Sequence, residues 1–377
     1  MPENAIDPGR KMQEPLISVV VTGYNHEKYI AQCIDSVLMQ KGCFRLEVIL
    51  ADDCSSDSTG RIMQAYHKKH PDIFILMPEE PNMGITKNIK RCFDACTGDY
   101  IAFCESDDYW TDIYKLQKQL EFMQSHPDYA MCFNAIILYY EDEKVYATVP
   151  EQLFLKTDTI RTEDLLDKNY IGNVTCCLYR TDVIRRLPPQ IYEIPLYDWV
   201  FNMTCGGLGK IGFIRDWMSV YRKHGQGAWS GKTEPEKWGE LLALYDIYNQ
   251  FFSYKYDKQF RRKKAELENA IASAERQASQ VSGDNRQPAA AIFKYAAGNP
   301  VGAFKIVLVN AVMELNRQQG SSLHGSSALA RYGELSMRAI KNPRAAFKVV
   351  RTIINSVALE ANSILKNRQA RSNAKGK

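Results

Sequence analysis

The first hundred residues alternate short apolar runs with amphipathic stretches. Residues 17–22 (ISVVVT), 46–51 (LEVILA), 73–77 and 100–104 (YIAFC) are brief, rich in β-branched and aromatic side chains, and end on polar clusters. Such runs predict buried strands. Between them, 28–39, 58–70 and 85–96 carry apolar residues at helical spacing, as in Ile30, Ile34, Val37 and Leu38. Pro71 and Thr97-Gly98 stop the second and third of these helices. Buried strands alternating with helices predict an α/β fold with a mostly parallel sheet and right-handed crossovers.

The pattern then changes. Residues 129–140 predict a longer strand, with 144–149 able to pair with it. Strands are also expected at 173–179, 210–214 and 218–221, and a helix at 197–205. These elements extend the same sheet with strands of mixed direction. From 233 the chain turns helical, with a long charged stretch over 237–280 and a polar linker at 283–287.

The expected organisation is a loose leader at 1–15, a catalytic-type α/β domain at 16–232, a helical extension at 233–283 and a basic helical tail at 288–377. The tail holds a weak repeat. Asn299-Pro300 and Asn342-Pro343, 43 residues apart, each open a similar amphipathic segment. Asn as N-cap with Pro at the first helical position accounts for the shared start.

Composition changes this picture in one respect. The 377 residues carry 48 basic and 44 acidic side chains, a net charge of +4. From residue 290 onward there are 14 Lys/Arg against 3 Asp/Glu, so an acidic body precedes a basic tail. The acidic body argues against a nucleic-acid partner. The basic tail suits an anionic bilayer surface, a partner enzyme or a solvated helical face. No run of about 18 apolar residues suggests a membrane span, and residues 1–15 do not read as a secretory signal. Ten cysteines lie between Cys33 and Cys205 without a CxxC pair. Unpaired thiols without a signal sequence point to the reducing cytoplasm. Cys92 and Cys96 read as buried thiols on one helix face.

In an open parallel sheet, ligands bind beyond the carboxyl ends of the strands. Three such ends carry polar clusters: Thr22-Gly23-Tyr24-Asn25, Asp52-Asp53-Cys54-Ser55-Ser56-Asp57 and Glu105-Ser106-Asp107-Asp108. Acids converging on one rim repel unless compensated. That favours a hard divalent cation, Mg²⁺ or Mn²⁺, completed by phosphate oxygens. No GxxxxGK[ST] loop occurs and no GxGxxG follows the first strand, which disfavours phosphate-loop enzymes and dinucleotide dehydrogenases. Basic side chains such as Lys87 would then help to hold phosphate.

The same residues carry a family resemblance. Ser18–Asn25, Asp52-Asp53 with Ser56–Thr59, Asn82-x-Gly84 with Lys87-Asn88, Gly98–Phe103, and Glu105-x-Asp107-Asp108-Tyr109-Trp110 together resemble a family 2 glycosyltransferase of the GT-A fold over about residues 16–230. The resemblance implies inversion at the anomeric carbon and a nucleotide-diphosphate sugar donor, most often a UDP-sugar. It implies that Thr22 and Tyr24 line the nucleoside pocket, that Asp53 beside Asp52 accepts from the base, and that Lys87 faces the donor. Asp107 would be the main metal ligand. The family's Asp-x-Asp is here Glu105-x-Asp107, with Glu105 accepting from ribose or reaching the metal. Glu at this position resembles the capsule and surface-polysaccharide branch.

The same resemblance makes Asp198 the general base, with Tyr197 in place of a preceding Glu. Helix capping by Asp198 is compatible with that role. Residues 221–227 match a closing loop near the diphosphate, where Arg222 and His224 would contact phosphate or metal. Trp110, Trp217 and Trp229 are possible sugar-stacking residues. Trp217 reads better as core, and Trp229 as the better acceptor contact. The acceptor implied is a saccharide or a lipid-linked saccharide, at the cytoplasmic face of a membrane where the tail makes contact. Two other readings stay open. One is a non-catalytic sugar-nucleotide-binding module acting through its tail. The other is a sugar nucleotidyltransferase, which would want a Gly-rich basic loop where Thr22–His26 stands.

Overall fold

The computed structural model describes residues 14–149, 152, 155–227 and 229–280. The leader, the linker and the basic repeat tail lie outside the described residues. Residues 146–148 group with a second unit, the rest of which is also outside them.

The first half follows the alternating pattern. Strands β1 (Leu16–Gly23), β2 (Arg45–Asp52), β3 (Phe74–Leu76) and β4 (Tyr100–Phe103) are joined by helices Ile30–Leu38, Thr59–Lys69 and Ile85–Ala95. All four strands are parallel, in the order β3-β2-β1-β4. The helices bury the faces their spacing predicts: Ile30, Cys33, Ile34 and Val37 are buried on the first. Val19, Val21, Val48 and Leu50 pack on one side of the sheet, and Val20, Ile49, Ile101 and Phe103 on the other.

A two-residue strand and a helix follow that the sequence pattern did not reveal: β5 (Tyr109–Trp110) and the helix Lys115–Ser125. Then come β6 (Tyr129–Tyr140), β7 (Val145–Thr148), β8 (Thr159–Ile160), β9 (Cys177–Arg180) and β10 (Lys210–Lys223). The sheet continues β4-β9-β6-β10-β5. β9 runs antiparallel to both β4 and β6, while β10 is parallel to β6. The fold is thus mixed α/β with a mostly parallel sheet between helices.

Three expectations are corrected. Residues 173–179 are not one strand. Asn173 accepts the Thr175 amide at its side chain and starts a 3₁₀ turn, Val174–Cys176, before β9. The two strands expected at 210–214 and 218–221 are one strand with bulges near Ile214, Trp217 and Ser219. The charged helical stretch is two helices, Glu234–Phe251 and Asp257–Gln280. The break falls where Ser253 and Tyr254 take positive φ.

The first of these helices opens with a capping box between Thr233 and Glu236 and a Pro in the first turn. Both pack onto the helix Asp198–Gly206. The Trp199 ring meets Tyr245, Tyr248 and Phe260 edge-on, and the Tyr248 hydroxyl donates to Pro195 O (2.9 Å). Among the described residues no helix is long and apolar enough to cross a membrane. All ten cysteines are free, eight of them buried. Burial pushes the Cys92 and Cys96 thiols up to about 12, which leaves them inert at neutral pH.

Candidate functional site

The carboxyl ends of β1, β2 and β4 are adjacent, so their loops share one rim. Hydrogen bonds zip the first two loops together. Asn25 sits at φ 57° and receives Ser56 N–H on Oδ1 (2.8 Å), and its own amide donates to Ser55 Oγ (2.9 Å). The His26 amide donates to Thr59 Oγ1 (2.8 Å). Asp52 receives the Ser55 amide (3.0 Å) and closes its own turn. Asp53 is 5% exposed and takes the amides of Met83 (2.9 Å) and Gly84 (3.0 Å), one on each oxygen. Gly84 has φ 80°, a conformation a side chain would strain. Asp52 and Asp53 therefore shape the rim as well as standing on it. Tyr24 is 51% exposed there, and Thr22, next to last in β1, receives the Ser106 amide on its carbonyl. Lys87 is exposed on the first turn of the helix Ile85–Ala95 and is not drawn into the acid cluster.

The antiparallel β9 explains the next layer. Because it runs against β4, the residues before it arrive at the carboxyl rim. Asn173 Nδ2 there donates to Glu105 Oε2 (3.0 Å) and to Asp108 Oδ2 (2.9 Å). Thr175 Oγ1 donates to Asp108 Oδ2 (2.7 Å), and the Arg222 amide to Asp108 Oδ1 (2.8 Å). Glu105 and Asp108 are both held well above the usual carboxylate range. Burial is the main cause for each, and neighbouring acids add to it. Sequence reasoning had no role for Asp108 or Asn173, and the signal for Asn173 lies only in the topology.

β10 brings its carboxyl end to the same place. His224 Nε2 stands 3.0 Å from Asp107 Oδ2, and His26 Nε2 stands 3.9 Å from the same oxygen. One ligand atom from each of His26, Asp107 and His224 falls within 4.8 Å of the others. Burial works to raise the Asp107 carboxyl, but the His224 hydrogen bond and both imidazoles outweigh it and leave it lowered. Burial lowers His26, with Asp107 opposing, so its imidazole is neutral at pH 7. Two imidazoles and a carboxylate are a chemically suitable donor set for a divalent metal ion. His26 is a residue the sequence reading missed.

Asp198 is the first residue of the helix Asp198–Gly206, and Asn169 donates to its Oδ2 (2.8 Å). Burial raises its carboxyl, while Asn169 and the helix amides pull the other way. It lies close enough to Glu105 to raise that carboxyl too. The structure thus gathers Glu105, Asp107, Asp108, His224 and Asp198 on one rim.

Arg222 departs from expectation. Its Nε donates to Asp107 O (2.8 Å), Nη1 to Glu141 (2.5 Å) and Nη2 to Gln32 (2.6 Å). The guanidinium also lies over Tyr29, 4.7 Å from the ring centre. It is 5% exposed and its guanidinium is engaged by these protein groups, so it braces the rim. It borders a cavity of about 460 Å³ together with Lys28, Glu141 and Lys144. Side chains alternate along a strand, and Tyr221 and Lys223 point to the other face. There Lys223 feels Asp108 and Asp198. Burial and Lys237 lower its ammonium, and the two acids oppose them.

Trp110 is also corrected. It is 1% exposed, with Nε1 donating to Thr175 O (2.9 Å), and cannot stack on a sugar. Trp217 packs against the core. Trp229 meets Tyr197 edge-on, ring centres 6.0 Å apart, next to Asp198.

Residues 18–187 match the model of glycosyl transferase family 2. A putative teichuronic acid biosynthesis glycosyltransferase of Bacillus subtilis is 34% identical over 178 residues, 47% of this chain and 68% of that protein. The chain belongs to glycosyl transferase family 2. An uncharacterised protein of Mycobacterium tuberculosis is 34% identical over 225 residues, 59% of this chain. The chain spans 64% of the length of that relative. A crystal structure of residues 1–349 of S. aureus TarS in complex with UDP-GlcNAc is 20% identical, with a TM-score of 0.48, covering 79% of this chain and 80% of that one.

Proposed function

We propose that this protein transfers a sugar, with inversion, from a nucleotide-diphosphate donor to a saccharide or lipid-linked acceptor in cell-surface polysaccharide synthesis. The observation that carries this reading is the joining of Asp107 and His224 (3.0 Å) on the rim that also holds Asp198. The name of the Bacillus subtilis relative, a putative teichuronic acid biosynthesis glycosyltransferase, supports cell-surface polysaccharide synthesis as the setting. UDP is the preferred nucleotide by family resemblance.

In this reading the exposed Tyr24 and the Asp53 loop receive the nucleoside. Asp107 and His224 hold a divalent cation, Mn²⁺ or Mg²⁺. When bound, that ion neutralises charge on the diphosphate leaving group. Lys223 adds a positive charge on the same face, in a setting where fixed charges act strongly. Asp198 takes the proton from the acceptor hydroxyl as the new C–O bond forms and the sugar–phosphate bond breaks. Asn169 and the helix N-terminus favour the ionised form of Asp198 against its burial and aim it. Holding both substrates on one rim supplies much of the remaining acceleration. The tail's charge supports peripheral contact with an anionic membrane, the surface where a lipid-linked acceptor would be met.

A donor screen tests this. The protein is incubated with Mn²⁺ or Mg²⁺ and UDP-, GDP- or dTDP-sugars, and nucleotide release is followed. Selective turnover of one donor, abolished by EDTA, supports the reading. Failure of every donor to bind would overturn it.

A further inference from the structure

We propose that His26 is a third protein ligand, with Asp107 and His224, for the donor's divalent cation, and that two imidazoles tune this site to Mn²⁺ over Mg²⁺. This rests on the reading that Asp107 and His224 hold that cation.

The three side chains come from different elements: the loop after β1, the loop after β4 and the end of β10. Their ligand atoms nonetheless fall within 4.8 Å of one another. Octahedral ligands at about 2.1 Å from a metal stand about 3 Å apart. His224 and Asp107 already meet that spacing, and His26 reaches it with respect to Asp107 by a shift of under about 1 Å from its 3.9 Å.

The surroundings of His26 fit a ligand. Its Nδ1 lies 2.6 Å from Ser106 Oγ, and Ser106 is 1% exposed. With Nδ1–H donated to that hydroxyl, Nε2 presents its lone pair to the cluster. Ligating histidines are characteristically oriented in this way through their other nitrogen. Ser106, the middle residue of the Glu105-x-Asp107 segment, thereby acquires a role. The His26 backbone is fixed too, through its amide to Thr59. For His224 the ring proton must move from Nε2 to Nδ1, displacing the 3.3 Å contact with the Gln226 amide.

Imidazole nitrogens suit first-row transition ions, whereas Mg²⁺ prefers oxygen. Mn²⁺ accepts both ligand types, so of these two ions a set of two nitrogens and one carboxylate favours Mn²⁺ over Mg²⁺. Three protein ligands leave about three octahedral positions for diphosphate oxygens and water.

The test uses Mn²⁺ alone with the full-length protein, without nucleotide. Electron spin-echo spectroscopy of bound Mn²⁺ should show ¹⁴N couplings from two imidazoles in the wild type and from one in His26→Ala. Mn²⁺ affinity should fall at least about tenfold in His26→Ala, the lower end of the loss seen for outer-shell partners. The ratio of Mn²⁺ to Mg²⁺ affinity should narrow as well. Couplings from one imidazole in the wild type, or no Mn²⁺ binding, would overturn the proposal, and this arm needs no variant to fold. An unchanged Mn²⁺ affinity in a folded His26→Ala protein would do the same, while metal-dependent turnover would leave the transferase reading standing. Conversely, two-imidazole Mn²⁺ binding without any donor turnover would keep the site and remove the transferase reading.

Discussion

Asn169 donates its side-chain amide to Asp198 Oδ2 at 2.8 Å, holding the carboxylate at the start of its helix. A hydrogen bond to the ionised form lowers a carboxyl pKa, and burial raises it; at Asp198 burial wins. A general base works deprotonated, so turnover should fall as pH drops through this raised value. The acid limb of kcat should lie above the ordinary carboxylate range. Asn169→Ala removes the opposing bond and should move that limb to still higher pH. A pH–rate profile for both proteins checks the sign, and a shift to lower pH would remove Asp198 from the base role.

Arg222 and Lys223 should separate cleanly. The Arg222 guanidinium braces Asp107 O, Glu141 and Gln32. Arg222→Gln should therefore lower the unfolding free energy, by about 1–3 kcal/mol for a charged brace whose partners are left short of a donor. Its donor KM should change little in the folded fraction. Lys223→Ala should leave stability nearly intact and lower kcat/KM on the order of a hundredfold, as for loss of one charge-stabilising group. Denaturant unfolding and steady-state kinetics on the two variants decide it. The reverse pattern would restore Arg222 as the donor contact.

The rim was legible because parallel strands announce their carboxyl ends. Thr22–Asn25, Asp52-Asp53 and Glu105–Asp108 each follow a short apolar run, and the topology places them together. Asn173 was not legible. Its position depends on β9 running antiparallel between β4 and β6, and a local pattern of apolar residues carries no strand direction. Arg222 was set beside the donor by family resemblance alone, and no local pattern could show that its guanidinium is engaged by Asp107 O, Glu141 and Gln32. The acid cluster also drew attention to Asp107 while hiding Asp108, its buried neighbour. Only the structure shows Asp108 receiving three hydrogen bonds from Asn173, Thr175 and the Arg222 amide.

Asn173 should accordingly be a stability residue. One amide nitrogen serves both Glu105 and Asp108. Asn173→Ala leaves the buried Asp108 and the half-buried Glu105 short of a donor, costing about 1–3 kcal/mol. Urea unfolding should show the loss at pH 7. Because both carboxyls are held above their usual range, they bind protons more readily folded than unfolded. Their contribution to stability should therefore improve as pH falls toward those raised values. The Asn173→Ala defect should shrink at lower pH. A defect that grows instead would contradict the assignment.

The central claim is that one rim holds donor and metal at Asp107 and a proton acceptor at Asp198. The most direct measurement pairs donor binding with single-turnover nucleotide release in wild type, Asp107→Ala and Asp198→Asn. Asp198→Asn should bind the donor like wild type and lose about 10²–10⁴ in rate. Asp107→Ala should lose metal-dependent binding itself. Wild-type turnover in Asp198→Asn, or metal-dependent donor binding unchanged in Asp107→Ala, would contradict the account.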